Sequence, residues 1–240
     1  MATSPLKDFL VTFLMPEKCY DRIFVNFLLD VTCLKIILKS ILGLWIITDT
    51  FFGQLPQLIK ILWRGSAEGL SLTAGLLQLY AFSCPVVYAV AHNFPLFAWA
   101  ERFITLTQTA VIIFLILHYR GETLKGLLLL LGYGGLMFLL GSYTSKAVAS
   151  VLHASSLSGI IASKGVQART NYCNGHTGQL STLSLSLSAL GSLGFLYLSL
   201  QDTGSSLQTL SHALSAILSC FLRAQVYYYS TTITNKEKSE

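Results

Sequence analysis

Charge is scarce in this sequence. Of its 240 residues only 11% are Asp, Glu, Lys or Arg, against about 25% in soluble domains, while 53% are apolar. That balance excludes a soluble globular domain and predicts a polytopic membrane protein. The formal charge of +5 is modest, and the basic residues lie mainly between apolar runs. Such spacing serves membrane orientation and not nucleic-acid binding. Catalytic signals are missing as well. There is no Ser-His-Asp order, no nucleotide loop and no closely spaced pair of acids, and His92, His118, His153, His176 and His212 are scattered with no pair at i, i+4. The chain is therefore expected not to be an enzyme and to hold no metal or other cofactor. Cys19, Cys33, Cys84, Cys173 and Cys220 lack metal-ligand spacing. Most are expected to be free thiols packed in or near the bilayer, and no disulfide framework can be inferred from them. No Asn-x-Ser/Thr sequon occurs, and no basic segment followed by a small-residue cleavage site opens the chain, so no cleaved signal peptide is expected.

What is present is a series of apolar runs. Residues 1–40 form an N-terminal segment. Its first 15 residues are expected to be mobile, and residues 16–39 to form an amphipathic helix at the membrane interface, with Glu17, Lys18, Asp21, Arg22 and Asp30 on its charged face. Spans follow at about 41–62, 70–91, 97–118, 125–142, 147–170, 180–200 and 207–229. Polar residues interrupt them in a pattern. Asp49 lies inside the first span, two turns before the pair Pro56-Gln57, and an acid at that depth is a functional candidate. Gln78 lies in the second span, and Glu101, Thr105 and Gln108 make one stripe on the third. The fourth is Leu-rich and glycine-rich and reads as a linking helix. The fifth carries serines, then Lys164, Gln167, Arg169 and, just beyond, Asn171, so it must be shielded by its neighbours. Ser211, Ser215, Ser219 and Arg223 line one face of the seventh.

The chain also repeats itself. A shift of 110 positions, without a gap, lays Gln57 on Gln167, Gly65 on Gly175, Leu70 on Leu180 and Ser71 on Ser181. Spans one to three then overlay spans five to seven, with the fourth as the joint. The fold class expected is all-α: seven transmembrane helices as two parallel three-helix repeats, 41–124 and 147–230, joined by a linking helix, 125–146 (3+1+3), with a cytosolic tail at 231–240. Parallel repeats of this kind place a substrate path at the repeat interface. Asp49, Gln78, Glu101, Thr105, Gln108 and Asn171 are the candidate lining of a polar groove there, and Lys60, Arg64, Lys164 and Arg169 are candidate contacts for an anionic phosphate at the cytosolic helix ends. Lys60/Arg64, Arg120/Lys125, Lys164/Arg169 and the tail lysines collect on one side. Positive-inside then puts the N-terminus in the lumen and the C-terminus in the cytosol. Lys236 and Lys238, fifth and third from the end, resemble the dilysine retrieval signal of endoplasmic-reticulum membrane proteins.

A Pro-Gln pair closing the first helix of a repeated three-helix unit resembles the PQ-loop family, which includes sugar and cystine carriers. The runs Pro16-Glu-Lys-Cys-Tyr-Asp21, Ser66-Ala-Glu-Gly-Leu-Ser-Leu72, Asn93-Phe-Pro95, His118-Tyr-Arg-Gly121 and Asn174-Gly-His-Thr-Gly-Gln-Leu-Ser181 resemble one branch of it, the branch serving dolichol-phosphate sugars. That resemblance implies a multi-pass protein of the endoplasmic-reticulum membrane. It would be required for the use of dolichol-phosphate mannose and dolichol-phosphate glucose in N-glycan precursor, glycosylphosphatidylinositol-anchor and O- and C-mannosylation pathways, by moving or presenting these lipids across the membrane. Its partners would be these two lipids, membrane lipids and lumenal glycosyltransferases. The PQ motif carries over as Pro56, Gln57 and Gln167, but Val166 stands where the second proline would be. A small-solute or proton-coupled transporter and a non-transporting scaffold for glycosyltransferases remain open alternatives.

Overall fold

In the computed structural model, residues 5–201 and 206–237 are described, with side chains over 7–201 and 209–231. Every regular element among them is helical. The expected dilysine signal at Lys236 and Lys238 lies outside the described side chains. The chain divides into two compact units, Met1–Thr48 and Asp49–Glu240.

In the first unit, α1 (Pro5–Phe13) forms where a mobile end was expected. A short α2 (Glu17–Tyr20) continues into a single π-helical turn, Asp21–Val25, and a new helix, α3 (Val31–Phe52), begins beyond a break. The amphipathic helix expected over 16–39 is therefore interrupted. Phe27 adopts a left-handed φ of 52°, which ends a helix, and the Asp30 carboxylate accepts the Thr32 N–H at 2.8 Å to start the next. That bond, with the Arg22 guanidinium second, holds the Asp30 carboxyl below its ordinary range. Two of the expected free thiols are joined, since Cys19 and Cys33 form a disulfide with their Cα atoms 5.4 Å apart. The fold-back at Asp21–Asp30 brings them together, and spacing along the chain does not reveal it. Both are buried with Met15, and Leu10, Leu14, Ile23, Ile36 and Ile37 pack around them.

The second unit holds α4 (Leu55–Arg64), α5 (Leu72–Ala91), α6 (Ala100–Tyr119), α7 (Thr123–Tyr143), α8 (Lys146–Asn174), α9 (Thr182–Gln201) and α10 (Ser206–Glu237). Five stretches are long and apolar enough to cross a membrane: Val31–Arg64, α5, α6, α7 and α9. The chain is a multi-pass helical membrane protein. α8 and α10 are long enough but more polar, and α8 is flanked by α5 and α10. Contacts α4–α6, α6–α5, α5–α8, α8–α10, α10–α9 and α9–α4 close six helices into a ring, with α7 against α5 and α6. A shift of 110 residues carries α4 onto α8, α5 onto α9 and α6 onto α10, and it maps each contact of this ring onto another.

The first span departs from expectation. A span over about 41–62 with a kinked end at Pro56-Gln57 is predicted, yet the chain breaks earlier, at Gly53–Gln54, between α3 and α4. Pro56 sits in the first turn of α4, where its missing N–H costs nothing. Its ring leaves α3 nowhere to continue. At the equivalent position Val166 keeps its N–H, and α8 runs unbroken for 29 residues.

Candidate functional site

The two motif glutamines do the same thing in opposite directions. Gln57 is buried, accepts the Ser181 N–H at 2.7 Å and donates to the Gln179 carbonyl at 3.0 Å. Gln167 is buried, accepts the Ser71 N–H at 3.0 Å and donates to the Gly69 carbonyl at 3.0 Å. Each side chain is thus clasped to the backbone of the connection between the first two helices of the other half. Gln167 also donates to Asn171 Oδ1 at 2.9 Å, and Asn171 passes the chain on to Gln225 at 3.0 Å. Asn171 is completely buried, so it serves this network and does not line an open groove.

The two connections meet as closely as backbones can. Gly69 (φ +81°) and Gly178 (φ +49°) face one another, and a Cβ on Gly69 would stand 2.8 Å from the Thr177 carbonyl oxygen and 3.0 Å from the Gly178 Cα. The Gln179 N–H donates to the Glu68 carbonyl at 2.8 Å. Gly65 and Gly175, at φ +58° and +68°, end α4 and α8 in the left-handed conformation of a helix cap, in open space.

The break between α3 and α4 frees carbonyls that must be satisfied without water. Thr50 accepts from the Thr105 hydroxyl, Phe51 from Gln108 Nε2 at 2.9 Å, and Gly53 from the Ser184 hydroxyl. Thr105 and Gln108, expected in a groove, hold the broken helix instead. The pseudo-equivalent bond runs from the Ser163 hydroxyl to the Ala74 carbonyl at 2.7 Å.

Between the halves lies a cavity of about 120 Å³. Its walls pair off under the same shift: Gln57 with Gln167, Ala74 with Ser184, Gln78 with Ser188, Thr109 with Ser219. One pair breaks the symmetry, Gln54 with Lys164, and Lys164 is the only charged side chain among the described lining residues. Its ammonium donates to the hydroxyls of Ser192 at 3.0 Å, Ser215 at 2.9 Å and Ser219 at 2.5 Å. Lys164 was expected at a helix end, with Arg169. It lies ten residues before the end of α8, roughly 15 Å inside it. Asp49 packs its carboxylate against Gly191, the residue before Ser192. An acid and a base therefore face one turn of α9.

The other expected contacts are dispersed. Lys60 donates to the Leu180 carbonyl at 2.8 Å and borders a second, more open pocket of about 580 Å³ with His176, Thr182 and Ser230. Arg64 and Arg169 are exposed, Arg64 at the last turn of α4 and Arg169 five residues before the end of α8. Glu101 stands in the first turn of α6, where the helix dipole favours an acid. The residues that sequence reasoning missed are Gly69, Gly178, Ser184, Ser188, Ser192 and Gln225. The gapless shift was the signal for three of them, because it places Gly69 and Gly178 opposite residues of the quoted runs, Gln179 and Glu68, and Ser188 opposite Gln78.

Residues 38–98 match the family model described as PQ loop repeat. The chain carries a PQ loop repeat. The match covers the end of α3, the break, α4 and α5, and it includes Pro56, Gln57 and the Gly69 connection. No solved structure matches the chain. Outside the matched repeat, Val166→Pro would complete a second Pro-Gln pair but would remove a hydrogen bond from the middle of α8. We expect a loss of about 3 kcal/mol, read as a lower unfolding temperature in detergent, while Val166→Ala stays near wild type.

Proposed function

We propose that this chain belongs to the PQ-loop family as two three-helix repeats joined by α7, and within that family to the mannose-P-dolichol utilisation defect proteins. In this reading it lets lumenal glycosyltransferases use dolichol-phosphate mannose and dolichol-phosphate glucose in the endoplasmic-reticulum membrane, by moving or presenting these lipids. The observation that carries the reading is the cavity between the halves, whose mainly aliphatic wall is interrupted by glutamine amides, by hydroxyls and by Lys164, the one cation among its described lining residues. A sugar phosphate needs those groups: one positive charge for the phosphate, and neutral donors and acceptors for the sugar hydroxyls. The sequence blocks quoted above supply the choice of lipid. At about 120 Å³ the cavity is smaller than the ~300–1,000 Å³ of ligand pockets, so this is a closed state. Opening falls to the half with the broken helix, at Gly53–Gln54. The Cys19–Cys33 disulfide supports a lumenal N-terminus, because such bonds persist on the oxidising side of a membrane.

The small cavity favours one second reading, a carrier of a small solute. Binding separates the two. Purified protein is titrated with a short-chain dolichol-phosphate mannose, with the same lipid lacking the sugar phosphate, and with free mannose phosphate. The expected outcome is saturable binding of the first that weakens about tenfold or more in Lys164→Met, the equivalent of a charged hydrogen bond of ~1.5–3 kcal/mol. Binding of free solutes in preference to the lipid would favour the carrier. No binding of either by folded protein would favour a scaffold.

A further inference from the structure

The first unit carries a feature that neither the cavity nor the repeat uses. Between Cys19 and Cys33 the chain forms a finger whose base is closed twice, by the disulfide and by the Arg22–Asp30 ion pair. Its backbone is held from within, with the Asn26 N–H donating to Asp21 and the Leu28 N–H to Arg22, each at 2.9 Å. Its tip is apolar and bare. Phe27 is 85% exposed and Leu29 87%, with Val25 and Leu28 also exposed beside them. A chain that spends a disulfide and an ion pair on holding large apolar side chains away from its own core is presenting them to something apolar.

We infer that this finger is a stapled membrane anchor, inserted into the interface of the leaflet from which α3 departs. The occupant is the bilayer, because the tip runs at Val31 into a stretch that is long and apolar enough to cross it. The exposed Leu34, Leu38 and Ile41 continue the same bare surface along α3. The flanking charges fit as well. Lys18 and Lys35 are exposed beside Glu17 and Asp21 at the base of the finger, the depth at which lipid headgroups lie when the tip is inserted. The role of the disulfide is to keep the tip folded back and projecting, so that shallow insertion does not require the segment to be a helix.

The test uses the full-length protein in phosphatidylcholine liposomes. Phe27→Trp and, separately, Leu29→Trp are compared with the wild type, whose Trp45, Trp63 and Trp99 provide the background emission. The expected result for each is added emission that is blue-shifted and lost when the lipids carry bromine in the upper acyl chain. That quenching disappears in Phe27→Trp combined with Cys19→Ser and Cys33→Ser, while the background emission is unchanged. Water-like, unquenched emission from both tryptophan variants overturns the proposal. So does blue-shifted emission that brominated lipid leaves intact, which would mean that protein covers the tip. Quenching that survives loss of the disulfide removes the staple from the anchor and overturns the proposal as stated.

Discussion

Gly69→Ala and Gly178→Ala each leave too little folded protein to purify, or lower the unfolding temperature by at least about 10 °C, at roughly 2–4 °C per kcal/mol for a chain of this size. Two costs combine. The left-handed backbone at φ +81° and +49° is strained for any residue with a Cβ, by ~1–2 kcal/mol. The added carbon also collides with backbone. At Gly69 it meets Thr177 and the Gly178 Cα, and at Gly178 it meets the Glu68 carbonyl and, at 3.1 Å, the Gly69 Cα. Backbone cannot rotate aside as a side chain can, so one connection must move off the other and pull Gln57 or Gln167 from its partners. Gly65→Ala and Gly175→Ala are the controls, with the same sign of φ and nothing within 4 Å. They cost the backbone strain alone. Thermal unfolding followed by size-exclusion chromatography in detergent checks the series, and equal losses at Gly65 and Gly69 would refute the close approach.

The second large effect is at the clasp. Gln57→Ala removes two hydrogen bonds and strands the Ser181 N–H and Gln179 carbonyl. At ~1–3 kcal/mol for each buried group left without a partner, the variant loses about 2–6 kcal/mol. Gln167→Ala loses at least as much, because it also strands Asn171 Oδ1. Gln57→Glu does not rescue. It keeps the acceptor for Ser181 but turns a second oxygen towards the Gln179 carbonyl in a low-dielectric site. Gln78→Ala is the contrast. Gln78 lines the cavity without taking part in the clasp, so its loss leaves the unfolding temperature near wild type.

The repeat was legible because the two halves align without a gap. Residues 61–70 and 171–180 have the same sequence of buried, intermediate and exposed positions, and three of the four pairs that the shift matched, all but Ser71 with Ser181, share an environment. The membrane class followed from the scarcity of charge and the apolar composition. The roles of single polar residues were harder to read. A glutamine or threonine inside a span can line a path or satisfy backbone, and Thr105 and Gln108 turned out to serve the carbonyls freed near Pro56. That choice depends on where the first span breaks, and the break lies at Gly53–Gln54, not at the proline itself. Lys164 was misplaced for a similar reason. It is five residues from Arg169, and only the observed end of α8, at Asn174, shows that Lys164 lies ten residues inside the helix and Arg169 five. The Cys19–Cys33 bond depends on a fold-back at Phe27 that no periodicity announces.

The central claim is that a cavity clasped on both sides by Gln57 and Gln167 handles the headgroup of a dolichol-phosphate sugar. Its most direct test is transfer between leaflets. Purified protein is reconstituted into liposomes with a short-chain dolichol-phosphate mannose, and the lipid reaching the outer leaflet is followed over time. We predict protein-dependent transfer that falls to the protein-free rate in Lys164→Met and persists in Gly65→Ala. Folded wild-type protein that moves the lipid no faster than empty vesicles would contradict transfer and leave presentation or scaffolding in its place.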